Sequence, residues 1–416
     1  MSFPMILFYI LFVAAFGAAV VFAALRFARG GLEQPKTPVR LGIKTALLIM
    51  TVAVLSRLAL LVLCWGAMHV SGNSGALAET WSRWDALQYL RIATQGYLDA
   101  QDGWIRIVFF PLYPAAVWLL NLVVVSNEHI AALAVSWLCL GGACVYLYKL
   151  ALLDADKPAA RRAVKYLLLF PAAVFLGAPF SESMFLLLSF ACIYHARTGR
   201  FVIACAMGGL AALTRSAGVL LFIPVLIEML GAHSLTPPLW RQSPGEKLRR
   251  FFARSPALLL IPLGTAAYLL LNLALTGDAF FFLKMQSQKW GQNFGNYART
   301  LGATFGQLTT GDWDLRDKLL LWGSQFAVLL VGGLTLPVMA RKLRVSYSVY
   351  AIAYLFVIFA PTWLLSGFRY YMGLAVLYPA LALLTRRRWA DIALTVLFAL
   401  LMPVYAYAFT MGWLVF

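Results

Sequence analysis

Apolar runs broken by short polar segments recur along the chain, and they determine its predicted architecture. A helix needs roughly 20 mostly apolar residues to cross the hydrocarbon core of a bilayer, and backbone groups in lipid must find hydrogen-bond partners within the chain. The runs therefore predict a helix at each crossing. The predicted spans lie near residues 4–25, 44–70, 129–149, 163–177, 180–196, 201–214, 216–230, 256–275, 318–339, 346–365, 371–385 and 389–411. The fold class that follows is all-α: one polytopic membrane helix bundle of about twelve spans over residues 1–416.

The charge distribution gives the predicted orientation of this bundle. The chain is 62% hydrophobic and 12% charged, with a net charge of +18. Short segments between the apolar runs hold 23 of its 34 lysines and arginines, at residues 26–44, 149–165, 197–200, 241–254, 341–344 and 386–388. Positive charge of this kind marks cytoplasmic loops. The basicity thus reflects topology and predicts no nucleic-acid partner. We expect a multi-pass protein in a lipid bilayer, with its other face on the outer side.

One further apolar stretch, residues 107–125, is not counted as a span. Counting it would place the basic segment 149–165 outside, against the charge rule. We predict that the stretch lies in the outer interface or dips in and returns, because Pro111 and Pro114 break its start. Residues 70–129 then form a first outer loop that contains interfacial helices.

The segment from Trp81 to Tyr97 of this loop places one carboxylate, Asp85, among aromatic residues. Read as a helix, the segment aligns one face at spacings of three and four. That face holds Trp81, Trp84, Asp85, Gln88 and Ile92. The rings would lie at the headgroup level while Asp85 faces a cavity. The alternative is a capping box, Ser82-x-x-Asp85, that starts a surface helix, with the two tryptophans as interfacial anchors.

Other charged residues stand at predicted outer turns or inside a span. Glu182 could bind a sugar hydroxyl, or Ser181 could simply cap the helix that opens there. Arg215 and Arg369 are cations at membrane depth with few acids nearby, so a lipid phosphate is their predicted partner; snorkelling to ordinary headgroups is the alternative. Arg57 lies in mid-span, and the sequence names no partner for it.

No residue pattern predicts a metal or another cofactor. The five cysteines lie in apolar runs without CxxC spacing, and the four histidines are scattered over different segments. Asp312-Trp-Asp314 matches the DxD pattern of nucleotide-sugar enzymes, but its charged neighbours favour a solvated loop. It belongs to a second long outer loop, residues 276–318, which is either a lid over a site or an ordinary surface loop.

Four motifs, in order between residues 80 and 225, resemble a known family. They are Trp84-Asp85-Ala86 with Tyr89, Ile92-Ala93 and Gly96-Tyr97; Phe109-Phe110-Pro111-Leu112-Tyr113-Pro114; Phe170-Pro171 with Ser181-Glu182-Ser183; and Thr214-Arg215-Ser216-x-Gly218. Together they resemble bacterial relatives of the eukaryotic GPI mannosyltransferase II (PIG-V). Arg369-Tyr370 followed by Pro379 extends the likeness. Eukaryotic members often have histidine where this chain has Gln88.

The resemblance implies a GT-C membrane glycosyltransferase with its active site at the outer face. Because the similar relatives are bacterial, it also implies a bacterial inner membrane, with that face in the periplasm. It also implies a polyprenyl-phosphate sugar as donor, with mannose as the expected sugar, and an acid of the first outer loop as base. Asp85 fits that role, because an acceptor hydroxyl must lose its proton as it attacks with inversion. The leaving phosphate needs cations. The candidates for this are Arg215, Arg369 and Arg91, while Trp84, Gln88, Tyr89, Glu182 and Tyr370 complete the predicted substrate site.

Since arginines can meet the phosphate, the predicted mechanism requires no metal. The acceptor could be a glycan, a glycolipid or a protein. Two other functions stay open from the sequence: an outer-face polymerase or ligase of lipid-linked glycans, and a lipid or sugar transporter. A transporter usually places polar groups near the bilayer midplane, where only Arg57 is predicted to lie.

Overall fold

Helices make up most of the computed structural model, which describes residues 3–73, 75–98, 104–125, 127–235, 244–364 and 366–415. No β-strand occurs in these ranges, and the predicted all-α class is confirmed. The α-helices are α1 Phe3–Ala28, α2 Ile43–Val70, α3 Asp85–Gln95, α4 Leu112–Leu120, α5 Glu128–Leu152, α6 Lys157–Leu169, α7 Glu182–Arg197, α8 Phe201–Ala212, α9 Phe222–Ala232, α10 Pro244–Arg254, α11 Leu260–Thr276, α12 Phe281–Trp290, α13 Tyr297–Thr309, α14 Leu315–Asp317, α15 Ser324–Lys342, α16 Val345–Ile358, α17 Gly367–Met372, α18 Leu377–Leu384 and α19 Arg388–Thr410.

Six helical stretches of the described chain are long and apolar enough to cross a membrane. They are Ile6–Ala28, Ile43–Val70, Glu128–Leu152, Gly245–Thr276, Leu315–Lys342 and Arg388–Thr410. Leu47, Leu55 and Leu63 on α2 are each more than half exposed, which leaves an apolar surface suited to lipid. The chain is therefore an integral membrane protein. The number of spans, about twelve, remains a prediction.

Two predicted spans are broken in the structure. The predicted span 163–177 is the end of α6, which stops before Pro171, and a 3₁₀ turn at Ala173–Leu176. Proline has no N–H to donate and disfavours a helical conformation in the residue before it, so the helix ends there. The predicted span 371–385 is divided between α17 and the eight-residue α18.

The apolar stretch 107–125 contains α4, which has 9 residues, and a π-helical turn of 5 residues at Asn121–Val125. Their combined length of about 21 Å is less than the roughly 30 Å of a hydrocarbon core, in line with the prediction that this stretch is not a full span. The helix packs against α3 and α5. Within the predicted first outer loop, residues 74, 99–103 and 126 lie outside the described ranges.

Helix α7 is the centre of the bundle and connects its two ends. Every residue of its 16 except Leu187 is buried, and it packs against α5, α8 and α9. Its ends are about 24 Å apart. Glu182 marks one end, hereafter the site end, and Arg197 marks the other, hereafter the basic end.

A network of paired charges closes the basic end. The fully buried Arg197 donates to both oxygens of Asp154, at 2.6 and 2.7 Å, and to the hydroxyl of Tyr347 at 2.6 Å. Lys36 donates to the same carboxylate at 3.1 Å. Burial raises the pKa of Asp154, but the hydrogen bonds and charges of Arg197 and Lys36 outweigh burial and hold that pKa below its ordinary value.

Candidate active site

A tight turn places Asp85 at the start of α3. Trp84 has φ 53° and ψ −122°, the backbone of the first central residue of a type II′ turn, where glycine is usual. The turn is closed by the amide of Ala86, which donates to the carbonyl of Arg83 at 3.0 Å. A non-glycine residue in this region costs about 1–3 kcal/mol and is commonest at functional sites.

The predicted capping box is not formed. Helix α3 begins at Asp85, and the hydroxyl of Ser82 pairs with His129 Nδ1 at 2.7 Å instead of capping. The predicted face is wrong for the two tryptophans, which precede the helix. Trp81 is no interfacial anchor either, because it is fully buried and donates to Thr410 at 3.2 Å.

A short segment before α7 places Glu182 at the site end. Ser181 does not cap the helix; its hydroxyl pairs with the Tyr89 hydroxyl at 2.9 Å and accepts from Arg215 at 3.2 Å. Ser183 donates to the carbonyl of Leu176 at 2.6 Å and fixes the turn from the other side. The segment is thus held both to α3 and to the 3₁₀ turn before it.

Four charged residues from four parts of the chain meet at this point, and we call them the charge cluster. Arg369 Nη1 lies 2.8 Å from Asp85 Oδ2, and Arg369 Nε lies 3.2 Å from Glu182 Oε1. Arg215 Nη1 lies 2.5 Å from the same oxygen of Glu182. The two cations and two anions of the cluster balance. Both arginines therefore have carboxylate partners in the protein, so the expectation that few acids lie near them is wrong, as is the snorkelling alternative.

Aromatic rings surround the guanidinium of Arg369. Its carbon lies 5.5 Å from the ring centre of Phe175, 5.3 Å from that of Phe180 and 5.5 Å from that of Tyr370. Arg215 lies 5.5 Å from the same Tyr370 ring. Rings at this distance attract cations and exclude water. The sequence did not single out Phe175 or Phe180, and the only signal was that each stands near Pro171 or Glu182.

Two buried acceptors in the described part of the site have no hydrogen-bond partner: Gln88 Oε1 and Glu182 Oε2. Gln88 follows Asp85 by three residues on α3, so both side chains lie on one side of that helix. Buried polar atoms in folded proteins nearly always have a partner, and an exception points to a bound group. The described residues contain no group of three or more His, Cys, Asp or Glu that could hold a metal. The unpaired acceptors suit hydroxyl donors.

Arg91, a predicted phosphate ligand, is not part of the charge cluster. It is exposed, six residues after Asp85 and on a different side of α3.

The predicted second outer loop is docked against the segment that precedes α17. The amide of Gly295 donates to the carbonyl of Ala360 at 2.8 Å, and that of Thr362 donates to Asn293 at 2.9 Å, shortly before Arg369. Its role as a lid stays a prediction.

Comparisons with known proteins match the part of the chain that holds most of these site residues. Residues 43–236 match the family model described as Mannosyltransferase (PIG-V). No curated protein sequence matches the chain. The crystal structure of the Archaeoglobus fulgidus oligosaccharyltransferase, tethered to an acceptor peptide containing the NVT sequon, is similar with 14% identity and a TM-score of 0.42, over 89% of this chain. The chain spans 55% of that structure's length. The family resemblance is confirmed over the matched residues, which include Asp85, Glu182 and Arg215.

Proposed function

We propose, from the match of residues 43–236 to the mannosyltransferase (PIG-V) family, that the chain transfers a sugar, mannose by family, from a polyprenyl-phosphate donor to an acceptor hydroxyl with inversion. The observation that carries this proposal is the 2.8 Å ion pair between Asp85 and Arg369. It joins a candidate base to a candidate phosphate ligand. We further propose that the site end faces the periplasm of a bacterium.

Asp85 and Glu182 differ in exposure and in the number of arginines that they contact, which suits two different roles. The Asp85 side chain is 28% exposed and contacts one arginine of the cluster. The Glu182 side chain is 2% exposed and contacts two arginines through a single oxygen. A base must reach an incoming hydroxyl, so Asp85 is the proposed base. Glu182 is the fixed anion that holds both arginines in place.

Arg369 is the proposed ligand of the donor phosphate. While it donates to Asp85, one of the two carboxylate oxygens, Oδ2, is occupied. Guanidinium groups bind carboxylates and phosphates with the same fork of donors, so an incoming phosphate competes with Asp85 for Arg369. We expect the phosphate to displace Asp85, which frees this oxygen as well when the donor is in place.

The proposed reaction then balances without a further reagent. The acceptor oxygen forms a bond to the anomeric carbon while the bond from that carbon to the phosphate oxygen breaks. Asp85 takes the acceptor proton, and the electron pair leaves on polyprenyl phosphate, stabilised by Arg369 and Arg215. Because two arginines supply the positive charge, the proposal requires no metal.

The unpaired acceptors complete the proposed substrate site. Gln88 Oε1 and Glu182 Oε2 are positioned to accept from sugar hydroxyls. Tyr89 acts through Ser181, and Tyr370 packs beside both arginines. Trp84, which is 39% exposed, offers a ring face next to Asp85. The acceptor is proposed as a glycan, glycolipid or protein hydroxyl.

The substitution Asp85→Asn tests the proposal, because it keeps the size of the side chain and removes the base. The assay is transfer from polyprenyl-phospho-mannose in detergent, with a membrane lipid extract as acceptor. We expect a loss of roughly 10²–10⁴-fold, the usual contribution of a general base. Asp312→Asn, at an exposed aspartate, is the matched control. Activity retained in Asp85→Asn would remove that residue from catalysis.

The same assay separates the other functions. Detergent abolishes any gradient, so sugar transfer under these conditions contradicts a transporter. Transfer of a whole glycan chain in place of one sugar would favour a polymerase or ligase.

A further inference from the structure

We infer that Arg57, in the middle of α2, is a positioning residue for the charge cluster. It holds the segment between the end of α6 and Glu182 against the loop that carries Asp85, and so sets the spacing of the two carboxylates. The inference deepens the proposed function and rests on it for its meaning in catalysis.

The contacts of Arg57 are unusual for a buried cation. Its side chain is 1% exposed, and it donates from Nη1 to the carbonyl of Ala173 and from Nη2 to the carbonyl of Leu168, both at 2.7 Å. These carbonyls lie on either side of Pro171, where α6 ends. The last carbonyls of a helix have no partner within it, so Leu168 needs a donor from elsewhere.

The shape of the guanidinium gives this contact its geometric effect. Its donors are arranged in a rigid planar fork, so two carbonyls bound to different nitrogens are held at a fixed separation and angle. The separation of the Leu168 and Ala173 carbonyls sets the direction of the chain after the end of α6. The 3₁₀ turn, Phe180 and Glu182 lie along that direction.

Gly177 shows how the break is aligned with the first loop. A Cβ atom built on Gly177 would lie 2.8 Å from Cζ3 of Trp81 and 2.9 Å from Cδ of Arg57. The carbonyl of Gly177 accepts from Trp137 at 2.8 Å. Arg57 and Trp81 therefore both pack against the backbone of Gly177. Trp81 precedes Asp85 by four residues, so this junction aligns both carboxylate-bearing segments.

The tolerance of the charge cluster to misalignment is small. Its contacts between Arg369 and the carboxylates of Asp85 and Glu182 are 2.8 and 3.2 Å long. A displacement of about 1 Å takes the contact with Asp85 beyond hydrogen-bond range and the ion pair with Glu182 beyond about 4 Å. Misplacement on that scale by a residue away from the chemistry can reduce a rate by about 10²-fold.

The experiment compares Arg57→Gln with Arg26→Gln. Arg26 also donates to two backbone carbonyls at a helix end, those of Ala340 and Leu343, but at the basic end. We expect both variants to melt at lower temperature. Arg57→Gln should also lower the single-turnover rate of mannose transfer by about 10²-fold, measured below both melting temperatures, whereas Arg26→Gln should keep that rate. Rate losses that follow the melting temperature equally in both variants would overturn the inference.

Gly177→Ala provides a second test that removes no charge and no hydrogen bond. It adds one methyl group at the junction, and we expect the same selective loss of rate. If Arg57→Gln does not fold, this variant decides.

A cryo-EM structure of either variant gives a readout that needs no activity. We expect the contacts of Arg369 with Asp85 and Glu182 to lengthen by about 1 Å or more, which would break the hydrogen bond to Asp85 and the ion pair with Glu182. Unchanged contacts would overturn the inference about Arg57, whether or not the wild-type protein transfers sugar. A wild-type protein that transfers no sugar would instead refute the proposed function.

Discussion

Asp85→Asn is expected to tighten the binding of polyprenyl phosphate, the proposed product, as well as to abolish transfer. In the unloaded protein, the Asp85 carboxylate occupies Arg369 at 2.8 Å. A phosphate that binds Arg369 must first separate these two groups. The asparagine side chain has a similar shape but no charge, so it competes far less for the guanidinium.

The magnitude follows from the geometry of the pair. At 2.8 Å and an effective dielectric constant of about 20, the attraction is about 6 kcal/mol. The Asp85 side chain is 28% exposed, so the displaced carboxylate recovers most of that energy from water and screening. We expect a net penalty of about 1–2 kcal/mol on phosphate binding, so that its removal lowers Kd roughly 5- to 30-fold.

The assay is a titration of the detergent-solubilised protein with polyprenyl phosphate, read as Kd for the wild type, Asp85→Asn and the control Asp312→Asn. The control is expected to match the wild type, because its side chain is exposed and distant in the chain from the cluster. Equal or weaker binding by Asp85→Asn, with a normal control, would refute the competition between carboxylate and phosphate.

Three further predictions concern stability. Glu182→Gln leaves the buried guanidinium of Arg369 and the partly buried one of Arg215 with one carboxylate. It should lower the free energy of unfolding by about 3–5 kcal/mol in a denaturation experiment; a loss below about 1 kcal/mol would contradict a buried ion pair. Asp154→Asn should lower the melting temperature. The pKa of the Asp154 carboxyl is lower in the folded protein than its ordinary value, so the ionised carboxylate stabilises the fold at pH values above that ordinary pKa. This stabilisation is lost as the pH falls below the ordinary pKa. Between about pH 5 and pH 3, the wild type should therefore lose more stability than Asp154→Asn. Trp84→Gly relieves about 1–3 kcal/mol of backbone strain and should not lower the melting temperature, but it should slow transfer; a lower melting temperature with normal transfer would contradict a functional role for the strain.

Much of the site was predictable because its residues stand at turns between apolar runs. Asp85, Glu182, Arg215 and Arg369 were all named from the sequence, and the structure brings them together. Their pairing was not predictable. Asp85 and Arg369 are far apart in the chain, and no local pattern states which acid meets which cation.

Two local details were also beyond sequence reasoning. A tryptophan at positive φ is rare, so a helical or capped start for α3 was the natural expectation at Trp84. Arg57 has no acid in its own helix, and its partners are backbone carbonyls. Pro171 inside a predicted span was the available signal, because a proline break leaves such carbonyls unpaired.

The balance of charge in the cluster bears on turnover in the proposed mechanism. Two arginines without acids would hold polyprenyl phosphate strongly, since this product carries more negative charge than the phosphodiester donor. Tight binding of a ground state does not raise turnover. Asp85, once it has lost the acceptor proton, competes with the product for Arg369 and favours its release. The same carboxylate is thus the base in one half of the cycle and the competitor of the product in the other, so its loss should abolish transfer and tighten product binding together.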